Sequence, residues 1–204
     1  MKQLPLLLFV ISTFIQLSTV SFADGRSINI DYNVGEKRFS AHLEKSVSSS
    51  KGTVFIIHDW DGMNDYEKSR AKMLSEMGFD AVAIDLFGVD TKLESRDDYI
   101  RETGTLYRNR TEFRARISEA ITAGKSIGVN SKKIIIVGYC FGGAAVLEAA
   151  RAGIQADGYV SFHGGLKTPE DQNYSKTAGP ILLLHGSADP VSGMEDLVSL
   201  INQL

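Results

Sequence analysis

The chain has 204 residues, 22 basic and 25 acidic side chains, a formal charge of −3 and one cysteine. That length holds one domain with a sizeable core, and a mildly acidic balance without a basic cluster gives no electrostatic reason to bind nucleic acid or an anionic membrane. A single cysteine cannot form an internal disulfide, so Cys140 is either a small buried core residue or a thiol in use.

The first segment reads as a leader rather than as part of the fold. Lys2 supplies a short positive region, residues 4–20 are mostly apolar, and Ser21-Phe22-Ala23 places small residues at −3 and −1 of a cut before Asp24. Pro5, Ser12, Thr13, Gln16, Ser18 and Thr19 make it a poor membrane span, because each polar group would need a partner inside lipid. The expectation is a signal peptide over residues 1–23, a single domain over residues 24–204, and a secreted or periplasmic protein with no membrane attachment after cleavage.

Residues 27–32 and 37–44 alternate apolar and polar side chains around Asn33-Val34-Gly35-Glu36, the pattern of an antiparallel hairpin. From Thr53 onward the strands change style. Residues 53–57, 81–84, 133–137, 158–162 and 181–184 are short runs with little alternation, as in parallel strands covered on both faces. Helical patterns lie between them. Tyr66, Met73, Leu74 and Met77 share one face ahead of Gly78, a helix-ending glycine. Phe113, Ile117, Ala120, Ile121 and Gly124 form a second stripe, with Arg114, Arg116, Glu119 and Lys125 on the wet side. Residues 141–152 are small and apolar nearly all round, which predicts a deeply buried helix, and residues 194–204 begin a last helix whose Leu197, Leu200, Ile201 and Leu204 need a surface to cover. Two opening strands followed by βα units predict an α/β fold, an open and mostly parallel sheet with helices on both faces.

The densest chemical signal is Gly138-Tyr139-Cys140-Phe141-Gly142-Gly143, directly between a buried strand and a helix. A nucleophile elbow needs this arrangement, because the sharp turn strains its central residue and flanking glycines relieve the crowding. The start of the following helix would favour the Cys140 thiolate over the thiol. A phosphate-binding loop is the competing reading, but no Gly-Lys-Ser/Thr ending follows, nor an acidic residue at dinucleotide spacing. His58-Asp59-Trp60-Asp61-Gly62 ends the first buried strand and His185-Gly186-Ser187-Ala188-Asp189-Pro190 the last. Ligands of open α/β sheets bind at the carboxyl ends of strands, so both loops can reach Cys140.

Taken in order, these motifs resemble the dienelactone hydrolase family, the cysteine-nucleophile branch of the α/β-hydrolases. The likeness runs over about residues 53–190 and includes Ala83-Ile84-Asp85-Leu86-Phe87-Gly88, Leu106-Tyr107-Arg108 and Ser161-Phe162-His163-Gly164. The resemblance implies hydrolysis of small-molecule esters or lactones through a Cys–His–Asp triad, without metal or cofactor. Carried over by position, Cys140 is the nucleophile and Asp189 the triad acid, and backbone N–H groups of Trp60 and Phe141 form the oxyanion hole. Asp59 stands where the family has a glutamate that holds the resting thiol, one methylene shorter.

One departure stands out. The family's histidine lies about thirty residues beyond the acid, after a further strand, whereas 15 residues follow Asp189 here and none is histidine. The expected fold is therefore an α/β-hydrolase lacking its last strand and covering helix, with impaired turnover and low solubility. His58 and His163 are the substitutes weighed for the base. The alternatives are a non-catalytic small-molecule-binding protein on the same fold and a redox-active thiol, which a lone cysteine without a resolving partner disfavours. Arg101, Arg108 and Arg110 precede the elbow, either to meet an anionic substrate or as a solvated helix face.

Overall fold

The computed structural model describes residues 20–23 and 26–204, so the expected leader falls largely outside the described residues. The elements in order are β1 (Val20–Ala23), β2 (Ser27–Val34), β3 (Lys37–Glu44), β4 (Thr53–Ile57), α1 (Asp65–Glu76), β5 (Asp80–Ile84), α2 (Arg96–Arg108), α3 (Arg110–Ser126), β6 (Ile134–Tyr139), α4 (Phe141–Ala152), β7 (Gly158–Phe162), β8 (Ile181–Leu184) and α5 (Met194–Ile201). Among the described residues they form one eight-stranded sheet in the order β1-β2-β3-β5-β4-β6-β7-β8. β1, β2 and β3 run antiparallel, β3 joins β5 antiparallel, and β5, β4, β6, β7 and β8 are parallel. The predicted hairpin and all five parallel strands are present.

The sheet separates two apolar layers. Phe55, Ile57, Val82, Ile84 and Ile136 face α3 and α4 in the larger core, together with Phe113, Ile117, Leu147 and Ala150. Val54, Ile56, Ala81, Ala83 and Val137 face the smaller one, which Ala71 of α1 covers. Strands buried on both sides explain why alternation vanishes after Thr53. The α4 helix is buried along nearly its whole length, as its small apolar composition predicts.

Several local expectations fail. In α1 the buried side is Glu67, Ala71 and Ser75, whereas Tyr66, Met73 and Met77 are exposed. Glu67 is turned inward because it closes a capping box, accepting from Asn64 N at 3.0 Å while Asn64 Oδ1 accepts from Tyr66 N at 2.8 Å. Arg116 is not on the wet side of α3. Its Nη1 donates to Leu86 O and its Nε to Glu112, both at 2.7 Å, which satisfies a guanidinium that is otherwise buried. β6 begins later than expected and runs on through Gly138 and Tyr139. The sheet also opens with three antiparallel strands rather than two. β1 pairs with β2 from Val20 opposite Ile30 to Ala23 opposite Ser27, so cleavage before Asp24 would detach it and leave β2 as the edge.

The opposite edge is β8. Leu182 lies across from Val160 and Leu184 from Phe162, on the face that α1 covers only over β3, β4 and β5, and the two leucines are 52% and 42% exposed. Unpaired backbone beside exposed leucines invites edge-to-edge association. The 204-residue chain should form concentration-dependent oligomers in sedimentation velocity, and Leu182→Lys with Leu184→Lys should restore a monomer. A wild-type chain that stays monodisperse at high concentration would contradict this. No helix of the described residues is long and apolar enough to cross a membrane.

Candidate active site

Cys140 sits between β6 and α4 with φ 50 and ψ −107, one of two non-glycine residues with positive φ among those described; the other is His163. The flanking glycines are required by sterics. A Cβ at Gly142 would lie 2.6 Å from His58 O and closer still to Ile57 O, and one at Gly143 would meet Ser161 Oγ at 2.7 Å and Gly164 Cα at 2.8 Å. The backbone of the elbow therefore nests against the ends of β4 and β7. Cys140 N donates to Phe162 O at 2.9 Å, which fixes the turn to β7. This is the strained strand–turn–helix presentation expected from the sequence.

The β4 loop brings Asp59 and Trp60 to the same point. The Asp59 carboxylate lies close enough to the Cys140 thiol to act on it by charge and hydrogen bonding, and the Phe141 N–H acts on it in the opposite sense. Asp59 Oδ1 also accepts from Trp60 N at 2.5 Å. Of the two expected oxyanion donors, the Phe141 N–H adjoins Cys140, whereas the Trp60 N–H is turned to Asp59. The thiol is pushed up to about 12, first by burial and then by the charge and hydrogen bond of Asp59, against which the Phe141 N–H is a lesser opposing influence. The helix start does not lower it. A nearby carboxylate and desolvation outweigh the dipole, because both penalise the anion directly.

Asp189, in the loop after β8, lies close enough for its charge to raise the Cys140 thiol further. Its Oδ1 accepts from Val191 N at 2.8 Å and Ser192 N at 3.0 Å, and these bonds hold its carboxyl below the usual carboxylate range. It is thus a fixed anion.

The four histidines separate cleanly. His42 lies on β3, tied to Asn29 and Glu44. His58 is fully buried; Leu86 N–H donates to Nε2 at 3.0 Å and Nδ1–H donates to Asp59 O at 2.6 Å, so both ring nitrogens are occupied in joining two strand ends. It is a structural residue, not the substitute base. His185 Nε2 donates to Ser192 O at 2.7 Å. His163 is exposed, follows β7 beside the elbow, and its charge, like that of His185, bears on Asp189.

Sequence reasoning missed the aromatic wall of the site. Tyr107 sits edge-on to Phe141 at 5.6 Å, and its hydroxyl is pushed up to about 12 by burial and then by Cys140 nearby. Trp60 meets Tyr99 edge-on at 5.5 Å, with Arg96 5.6 Å above its ring. The Leu106-Tyr107-Arg108 motif carries a signal for Tyr107, which lies in the last turn of α2. Of the three arginines ahead of the elbow, Arg101 pairs with Asp98 and Glu102 and Arg108 is exposed, while Arg110 pairs with Glu148.

A family model described as dienelactone hydrolase family matches residues 39–204. A protein described as a carboxymethylenebutenolidase in Saccharolobus solfataricus is 26% identical, over 74% of this chain and 72% of its own. Carboxymethylenebutenolidase 1 of Cupriavidus pinatubonensis is 24% identical over 62% of this chain and 56% of its own. Among solved structures, a dienelactone hydrolase-like promiscuous phosphotriesterase from metagenomic libraries superposes with a TM-score of 0.78 at 27% identity, covering 87% of this chain and 75% of that one. The structure of m3DLH gives 0.77 at 29%, covering 86% and 74%. The matched span takes in the elbow, the β4 loop and the loop after β8, and with it the chain belongs to the dienelactone hydrolase family.

Proposed function

We propose that the protein hydrolyses small-molecule carboxylic esters or lactones through a thioester on Cys140. The observation that supports this most is the meeting at one strained elbow of the Phe141 N–H and the Asp59 and Asp189 carboxylates, with the Trp60 N–H held on Asp59. The names of the curated relatives point the same way.

Asp59 governs the first step. In the resting site its carboxylate takes the Cys140 proton's hydrogen bond and the Trp60 N–H together, so a substrate carbonyl must displace it to reach the oxyanion donors. Asp59, already hydrogen-bonded to the thiol, is the acceptor at hand for its proton as the sulfur attacks the acyl carbon. The tetrahedral oxyanion then collapses, the alcohol leaves with a proton, and Cys140 carries the acyl group. Water must next add to the thioester to release the acid and restore the thiol. That step needs a base that can lift a proton from water. Exposure of His163 next to the elbow, with its influence on Asp189, supports it over His58 for that role.

Among the described residues no hydrogen bond ties an imidazole to Cys140, so the second step is expected to limit the reaction. An activated aryl ester should give a burst equal to the concentration of Cys140 followed by slow turnover, with an acyl adduct visible by mass spectrometry. Cys140→Ala should lose both phases. A burst that persists in Cys140→Ala would put the acylated residue elsewhere, whereas saturation by a lactone with no adduct would favour the non-catalytic binding reading.

A further inference from the structure

On the side of α4 away from the nucleophile, Glu148 is fully buried and meets three guanidinium groups. Arg110 Nη1 lies 3.0 Å and Arg151 Nη2 2.8 Å from Oε2, and Arg114 Nε lies 2.7 Å from Oε1. One carboxylate needs one cation, or two in a bidentate bridge, to offset its burial. Three leave an excess of positive charge held in fixed geometry. The arginines hold the Glu148 carboxyl in its charged form against desolvation.

The three differ in what remains to them. Arg151 is fully engaged, since Nε donates to Gln172 Oε1 at 2.6 Å and Nη1 to the Tyr174 hydroxyl at 2.7 Å. Arg110 and Arg114 each give a single N–H to Glu148, and their side chains remain 28% and 35% exposed. Both line a cavity of about 240 Å³, with Lys176 and Thr111 on the rim. Four cations and one carboxylate, Asp171, line it, and Glu148 lies buried behind the arginines. The cavity also opens at the first residues of α3, a helix of 17 residues whose positive end adds to the same field.

We propose that this cavity binds a small oxyanion carrying at least two negative charges, such as a phosphate or a compact polycarboxylate. The guanidinium N–H groups left over from Glu148 supply planar paired donors, which suit such ligands better than ammonium groups do. The buried carboxylate holds both arginines in place before the ligand arrives, so little side-chain entropy is lost on binding. Arg110 also lies 5.0 Å over the Tyr107 ring, so the anion site and the wall of the Cys140 site share a side chain. The proposal does not depend on the hydrolase reading.

The test is titration of the intact protein with inorganic phosphate and, separately, citrate, at constant ionic strength set with sodium chloride so that general screening is equal in every arm. Calorimetry and thermal melting should show saturable binding and a rising melting temperature. Whichever anion binds tighter identifies the source of the oxyanion. Lys176→Gln leaves every Glu148 partner in place and should weaken binding about tenfold, the value of one charge-assisted contact. Arg114→Gln should abolish it. A melting shift that sodium chloride reproduces, or a Lys176→Gln protein that binds as tightly as wild type, would overturn the site.

Discussion

Cys140 should alkylate slowly at neutral pH, and its rate with iodoacetamide should keep climbing about tenfold per pH unit with no plateau below roughly pH 11. Burial and Asp59 push the thiol up to about 12 from an ordinary value near 9. The thiolate fraction at pH 7.5 is then about a thousandfold lower than for an unperturbed thiol. A more basic thiolate is intrinsically more nucleophilic, which returns part of that factor and leaves a net slowing of roughly ten- to a hundredfold. Asp59→Asn keeps an acceptor for Trp60 N–H but removes the charge facing the sulfur, so it should accelerate alkylation at pH 8 by about tenfold. The same shift has a stability consequence. The folded thiol holds its proton more tightly than the unfolded one, so stability contributed by Cys140 is present below pH 9 and is lost as pH rises from there toward 12. An alkylation plateau near pH 8, or an Asp59→Asn rate equal to wild type, would show that Asp59 does not hold the thiol.

Gly142→Ala should be among the most damaging single substitutions available in this chain. Its methyl group would sit 2.6 Å from His58 O and closer to Ile57 O, and both belong to backbone that cannot retreat without breaking the β4–β6 ladder. Overpacking against a flexible side chain costs about 1–3 kcal/mol, and backbone on both sides should take the cost above that range. Gly186→Ala is the matched control, since nothing lies within 4 Å of the Cβ it would gain, and it should change stability by less than about 0.5 kcal/mol. Urea unfolding of the two variants side by side measures the difference. Similar midpoints would mean that the elbow is looser than its packing against β4 indicates.

Much of the fold was legible because parallel strands buried on both sides leave a direct mark on composition. β4, β7 and β8 begin and end where their apolar runs do, and α4 follows its small-residue run over residues 141–152. The amphipathic stripe of α3 was equally clear. What periodicity could not supply was the environment of polar side chains. Glu67 and Arg116 look solvent-facing in sequence, yet a capping box and a carbonyl acceptor make their burial tolerable. Tyr66, Met73 and Met77 share a face at helical spacing, but α1 turns that face outward.

The sequence by itself determined the elbow. Its glycines and its place between a buried strand and a helix admit one backbone path, because any Cβ at those positions collides with neighbouring main chain. It could not determine the state of the sulfur. A helix start predicted a lowered thiol, whereas the tertiary structure sets Asp59 against Cys140 and raises it, since a charge in hydrogen-bonding contact within a desolvated site outweighs a partial charge spread over a helix end. The roles of the histidines were decided in the same way. Four imidazoles are equivalent on paper, and only folding shows His58 spent between two strand ends while His163 lies open beside the elbow.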